Sequence, residues 1–401
     1  MLPVLVWAGW VSGRTAVARV LVRYGMSVAD ATAVEAAIGL TPRDAEAHDW
    51  RGAILNYRGR PEEAVSELEQ AVSLRPRDYG LWMDLGMTLD DLGDQSGALA
   101  AFNESVRLAP FYARPRWQRG NLLFRLGQYE EAFAEMRRAA ASNPALLPNL
   151  IDLAWSAGGQ DPAVTEQLVQ LRSPAVHLAL ARFLVRHNRP DEAIAHLKAA
   201  APTDGDVTND LIHQLIAAGA YSQAFQVWPR MSNQTGTTTI VFDGGFEGSL
   251  PVDESGLGWR PSDDRRGLSF ALDQSKPQSG ARSLRIDFNG EPTRGPMLSQ
   301  LVLVQPAARY RLSFAARVSD LVTGGPPFIA INEAGPHGKQ LARTAAVPNG
   351  SANWTPYTAE FVTGATTKAI SIVLVRESCA TATCPIFGSL NLDSFSIEPL
   401  K

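Results

Sequence analysis

The chain is poor in cysteine: it has two in 401 residues, Cys379 and Cys384, with four residues between them. Two thiolates cannot close a zinc site by themselves. The stretch Cys-Ala-Thr-Ala-Thr-Cys therefore reads as a local disulfide, which implies an oxidising compartment such as a periplasm or the cell exterior, or as two unpaired thiols. An excess of one charge is also missing. Lys and Arg number 37 against 41 Asp and Glu, a formal net charge of −4, and the basic residues are mixed with acidic ones, so there is no footprint for nucleic acid. Six histidines (His48, His177, His187, His196, His213 and His337) stand without metal-ligand spacing. No nucleophile elbow, phosphate-binding glycine loop or metalloprotease His motif occurs. The reading is a non-enzymatic protein with no required cofactor. A cryptic glycoside hydrolase using carboxylates such as Glu333 and Glu360 is the lesser alternative.

Long hydrophobic runs are absent too. The apolar start, from Met1 to Val11, stops before Arg14, short of the roughly 20 residues a membrane span needs, and it lacks a basic leader. Residues 1–10 read in three ways: the first buried helix, the trimmed end of a membrane anchor, or a poor signal peptide.

What is present changes character near residue 230. Before it, Ala, Leu, Arg and Glu recur at helical spacing; after it come Gly, Ser, Thr, Val and Pro. Helices followed by strands, in a chain longer than one core usually serves, predict separate domains: helical residues 11–230, a linker at 231–238, and a strand-rich domain at 239–401.

The helical part repeats. Pro42, Pro76, Pro110 and Pro144 recur at intervals of 34, as do Gly25, Gly59, Gly93 and Gly127. Small residues recur in the first helix of each unit (Ala18, Gly52, Gly86, Gly120) and in the second (Ala64, Ala98, Ala132). Units are expected from 11–44 to about 146, then a unit seven residues short with a helix capped by Asp161, then a further pair to about Pro229. A helical hairpin cannot bury its apolar face alone, so such units stack.

With Trp82, Leu85, Gly86, Leu89, Gly93, Ala98, Phe102 and Pro110, this pattern resembles the tetratricopeptide repeat. The resemblance implies an α-solenoid that binds protein or peptide in a groove. Its groove positions fall on Asp49, Asn56, Met83, Met87, Asp90, Trp117, Asn121, Phe124, Trp155 and Arg182. Asp49 and Ala53 depart from the family variant that grips a terminal carboxylate. Trp82 and Trp155 read as packing.

In the strand-rich part, Ser283–Phe288, Tyr310–Ala316, Ala369–Leu374 and Leu390–Ile397 alternate apolar and polar residues, and nine or ten such segments predict an antiparallel β-sandwich of jelly-roll type. Asp243-Gly244-Gly245-Phe246-Glu247, Gly258-Trp259, Ser279-Gly280-Ala281-Arg282-Ser283-Leu284 and the closing Leu392-Asp393-Ser394-Phe395 resemble the galactose-binding-like jelly rolls of family 4, 9 and 22 carbohydrate-binding modules. That resemblance implies a structural calcium ion held by Glu247 and Asp393, with turn capping as the alternative role. It also implies a glycan site, for which Trp354, Tyr357, Arg317, Glu333, His337 and Arg376 are the candidates. Trp259 reads as core. The whole chain reads as a scaffold for protein partners whose sandwich meets polysaccharide, in bacterial envelope or exopolysaccharide assembly. A purely structural assembly factor is the alternative, and a cytoplasmic location stays open.

Overall fold

The structure, a computed structural model, describes residues 2–28, 31–170, 172–201, 205–228, 241–248, 257–262, 266–293, 295–335, 338–379 and 384–401. These residues divide into two compact units, Met1–Leu180 and Ala181–Lys401.

The helices run α1 (Leu2–Val28), α2 (Ala31–Leu40), α3 (Ala45–Tyr57), α4 (Pro61–Leu74), α5 (Tyr79–Asp91), α6 (Gln95–Leu108), α7 (Ala113–Arg125), α8 (Tyr129–Ser142), α9 (Leu147–Ala157), α10 (Pro162–Val169), α11 (Pro174–Arg186), α12 (Pro190–Ala200), α13 (Gly205–Ala217) and α14 (Tyr221–Val227). The division between the units falls inside α11. Among the described residues no helix is long and apolar enough to cross a membrane.

Repeat geometry follows from a few residues. Gly59, Gly93 and Gly127 adopt φ of +72°, +83° and +76° and end α3, α5 and α7, a backbone state that costs glycine nothing. Gly25 differs: α1 runs through it to Val28, so the first pair of helices meets at a later turn than the 34-residue period predicts. The small residues mark helix contacts. A Cβ on Gly52, Gly86 or Gly120 would lie 2.8 Å from Leu68, Phe102 or Met136 of the following helix. Asp44, Asp78, Asp94 and, as expected, Asp161 cap helix N-termini by accepting backbone N–H groups, each contributing about 1 kcal/mol.

One position does the same work with three side chains. His48 Nε2 faces the Pro42 carbonyl at 3.2 Å, Trp82 Nε1 donates to the Pro76 carbonyl at 2.9 Å, and Arg116 Nε donates to the Pro110 carbonyl at 2.7 Å. Charge alternates around it. His48 and Arg51 pair with Glu67 at 2.7 and 3.1 Å, and Arg116 and Arg119 pair with the buried Glu135 at 2.7 and 3.7 Å. The intervening unit has Trp82, Leu85 and Ala101 at the matching positions.

In the second unit the strands are β1 (Arg260–Pro261), β2 (Leu268–Asp273), β3 (Ser283–Asn289), β4 (Leu298–Leu303), β5 (Arg309–Thr323), β6 (Pro327–Glu333), β7 (Gln340–Arg343), β8 (Gly350–Val362), β9 (Ala369–Arg376) and β10 (Ile386–Leu400). They form two antiparallel sheets, β1-β4-β9-β6-β7 and β2-β3-β10-β5-β8, whose facing residues make one core. Trp259 is buried there against Phe246 and Phe395, its indole N–H on the Asp243 carbonyl at 3.1 Å. A Cβ on Gly244 would lie 2.1 Å from the Phe395 carbonyl oxygen, so the opening motif can meet the closing strand only through glycine. Cys379 and Cys384 are disulfide-bonded, Cα atoms 5.8 Å apart.

Replacing Gly86 with Ala tests the helix contact. Alanine is the better helix former by about 1 kcal/mol, yet the clash with the Phe102 ring makes Gly86→Ala net destabilising by about 1–2 kcal/mol. Urea unfolding measures the sign.

Candidate functional sites

In the first unit α3, α5 and α7 lie side by side and their polar side chains link neighbours. Asn56 Nδ2 donates to Thr88 Oγ1 at 2.7 Å, Gln118 Nε2 to Met87 Sδ at 3.4 Å, and Arg125 is ion-paired with Asp90. Three expected groove residues, Asn56, Met87 and Asp90, are therefore engaged in repeat-to-repeat contacts. Met83 does not face the groove: it is 3% exposed, in a core with Ala98, Phe102 and Leu122. Phe124 packs edge-on against Tyr129 and Phe133, and Trp155 is buried. Trp117 and Asn121 are half-buried, with no hydrogen bond to another described side chain. Arg182 belongs to the second unit and pairs with Asp210 at 3.0 Å.

The sharpest electrostatic feature here is an acidic cluster. Burial first, then Asp84, Asp78 and Glu46, push the Asp49 carboxyl up to about 7. Asp84 is also raised, by burial first and with Asp78, against the lowering effect of Arg114.

In the second unit a cleft of about 470 Å³ lies on the β2-β3-β10-β5-β8 sheet. Strand alternation builds it: Ala316 and Val318 enter the core while Arg317 and Ser319 face the cleft, and Leu390 and Leu392 enter the core while Ser389 and Asn391 face it. Arg317 meets Asp273 at 3.0 Å, donates to the Lys276 carbonyl at 3.2 Å, and lies 5.3 Å from the Trp354 ring centre. The Trp354 indole donates to the same carbonyl at 2.9 Å. Asn391, 2% exposed, donates to Asp273 Oδ2 at 2.9 Å and to Ser283 Oγ at 3.2 Å. Burial pushes the Asp273 carboxyl up, but Ser275, Asn391 and Arg317 together hold it below the usual range. The result is a charged, hydroxyl-rich floor beside one aromatic ring, the mixture a saccharide's polar rim and apolar face require.

Of the expected glycan residues, Arg317 and Trp354 thus come together. Tyr357 does not join them, because it stacks on the core ring of Phe314, 5.3 Å between centres. Arg376 ties the disulfide loop, donating to the Gly325 and Cys384 carbonyls at 3.0 and 2.9 Å. Glu333 accepts the Thr367 hydroxyl at 2.5 Å, while Glu360 pairs with Arg309 and Arg311, both at 2.7 Å. Neither carboxylate lines the cleft, as a glycosidase pair flanking one substrate would. His337 lies outside the described residues. Asp273, Asn391, Arg285 and Asn353 line the cleft without having been expected there; the polar alternation Ser389, Asn391, Asp393 is the signal that could have found Asn391.

Glu247 and Asp393 both hold the loop before β3. Asp393 Oδ2 accepts the Gln278 and Ser279 N–H groups at 2.8 and 3.1 Å, and Glu247 Oε1 accepts those of Ala281 and Arg282 at 2.8 and 3.3 Å. Among the described residues no group of three or more His, Cys, Asp or Glu side chains is arranged to hold a metal.

These features define two kinds of module, a helical repeat array and a sandwich with a polar cleft. The tetratricopeptide repeat family matches residues 54–113 and 83–146, and a carbohydrate binding domain family, that of modules 4 and 9, matches residues 238–380. The chain carries tetratricopeptide repeats in its N-terminal part and a carbohydrate-binding domain in its C-terminal part. Both are non-catalytic kinds of domain, and together they support a binding or scaffold role. Protein FlbA of Caulobacter vibrioides is 33% identical over 101 residues, which is 25% of this chain and 17% of FlbA. The chain thus matches less than a fifth of that relative's length. Among solved structures, PilF of Pseudomonas aeruginosa covers 49% of this chain and 98% of its own at 16% identity and a TM-score of 0.36. A CBM4 module covers 40% and 99% at 11% identity and a TM-score of 0.31.

Asp49 sets a pH dependence. Its folded pKa, near 7, lies above the ordinary value of 3.8. The folded chain therefore keeps a proton that the unfolded chain loses, and the stability this gives is full below pH 4 and is lost as pH rises through 7. Asp49→Asn is expected to stabilise by about 1–2 kcal/mol at pH 8, with the difference shrinking towards pH 4. Denaturant melts at the two pH values check it, and a constant difference would refute the assignment.

Proposed function

We propose that the chain is a bacterial envelope adaptor, in which the helical repeats hold a protein partner and the sandwich holds a polysaccharide, as in exopolysaccharide assembly. The observation that carries this reading is the cleft where Arg317, Asp273 and Asn391 present polar groups beside the Trp354 ring on a carbohydrate-binding domain. The Cys379–Cys384 bond supports an oxidising compartment outside the cytoplasm. On the repeats, Glu46, Asp49 and Asp84 favour a partner segment rich in Lys or Arg, with Trp117 and Asn121 as further contacts. A structural calcium ion would use the two oxygens that take no backbone N–H, Glu247 Oε2 and Asp393 Oδ1, together with carbonyls of the opening loop.

The alternative reading, a structural factor that binds no sugar, draws on Trp354 and Arg317 already being engaged by Lys276 and Asp273. A glycan array separates the two. The full chain is expected to bind an acidic or neutral polysaccharide, and Arg317→Ala and Trp354→Ala are each expected to weaken it at least about tenfold. Binding in calcium that drops in chelator supports the ion, and a native protein with no titratable thiol supports the compartment. No binding to any glycan refutes the polysaccharide reading.

A further inference from the structure

A second cavity, in the first unit, is not part of either site above. The unit after Pro144 is seven residues short, and its second helix, α10, has 8 residues where α4, α6 and α8 each have 14. At 1.5 Å per residue the missing turns leave about 9 Å of the α8 flank uncovered. The chain then leaves α10 through Gln170 at φ +57° and re-enters helix at Pro174. Between α8, α9, the end of α10 and the start of α11 lies a cavity of about 470 Å³, within the range of small-molecule sites, about 300–1,000 Å³. Its walls are mostly apolar, with Leu147, Leu150, Val169 and Val176, and Ala134 leaves room beside them.

The polar part of the lining carries charge of one sign. Arg137, Arg138 and Arg172 line the cavity and no acidic residue does. Arg138 is committed to Glu135 at 2.5 Å. Arg137 spends one donor on the Leu168 carbonyl at 2.7 Å, and Arg172, exposed, has no ion pair among the described residues. Burial, then Arg172 and Arg138, lower the Arg137 pKa, with Glu130 opposing. This cationic group is partly desolvated and crowded by like charge, and an anion would relieve it.

We infer that this cavity is a binding site for an amphipathic small-molecule anion, an aliphatic chain ending in a carboxylate, with the chain among Leu147, Leu150, Val169 and Val176 and the headgroup on Arg137 and Arg172. A guanidinium matches a carboxylate through paired N–H donors. A peptide end is the poorer occupant, because its backbone needs hydrogen-bond partners and the lining offers, besides the arginines, only Gln170 and Ser173 as polar side chains.

Calorimetric titration of the full chain with dodecanoate, below its micelle concentration, tests the site, with dodecanol and dodecylammonium as controls. Dodecanoate is expected to bind at one site per chain, at least tenfold tighter than either control. Arg172→Glu changes an exposed residue and is expected to weaken dodecanoate at least tenfold while leaving the melting temperature unchanged. Ala134→Leu fills the cavity and is expected to weaken dodecanoate and dodecanol alike. Absence of dodecanoate binding, equal affinity for dodecanol, or an unchanged affinity in Arg172→Glu overturns the inference. So does capture of a short peptide ending in an apolar residue by a chain that does not bind dodecanoate, which would assign the cavity to a protein terminus.

Discussion

Close approach without a Cβ is the constraint on which both units depend. At Gly52, Gly86 and Gly120 the facing helix brings Leu68, Phe102 or Met136 to where a methyl group would stand, and at Gly244 the carbonyl of Phe395 does the same in the sandwich. The helical contacts set how tightly each hairpin closes and therefore which residues remain to stack on the next hairpin. The sandwich contact locks the opening segment to the last strand, bringing Trp259 against Phe395 and Glu247 and Asp393 to the loop that precedes β3. The cleft is downstream of this, because Asp273 and Lys276 leave the sheet at that loop and meet Arg317 and Trp354 from it.

Within the repeats, geometry is common to the units and chemistry is not. Glu67 and Glu135 collect basic groups from two matching positions, Glu135 taking Arg138 as a third, while the unit between them is apolar at those positions. Buried charges contribute little net stability but penalise wrong partners, since an unpaired one costs several kcal/mol. Each set of pairs joins the two helices of one hairpin, α3 to α4 and α7 to α8, so it fixes the register within that hairpin.

Much of this was legible in the residues. The 34-residue spacing gave the hairpins because a solenoid repeats its contacts, and the alternation in Leu390–Ile397 gave β10 because one face of a sheet is buried. Gly25 misled because its spacing matched while its conformation stayed helical. For Trp354 and Tyr357 the answer was in the numbering: three residues apart on one strand, they face opposite sides, so only one of them can join the cleft. Asp273 and Asn391 escaped notice because their meeting depends on the register of β2, β3 and β10, which no local pattern specifies. Met83 was misjudged because it packs against Ala98 and Phe102 of its own hairpin and is closed over by Leu122 of the next. The seven-residue deficit was visible; the cavity it leaves was not, since it needs the position of α8.

The hydrogen bond that three units make to a proline carbonyl changes how the array is compared with others. An imidazole, an indole and a guanidinium have almost nothing in common in volume, charge or hydropathy, yet each puts a nitrogen over the carbonyl six residues back. What defines that position is a ring or fork nitrogen at a fixed reach. A comparison that scores residues by kind therefore sees three unrelated letters where the backbone sees one latch.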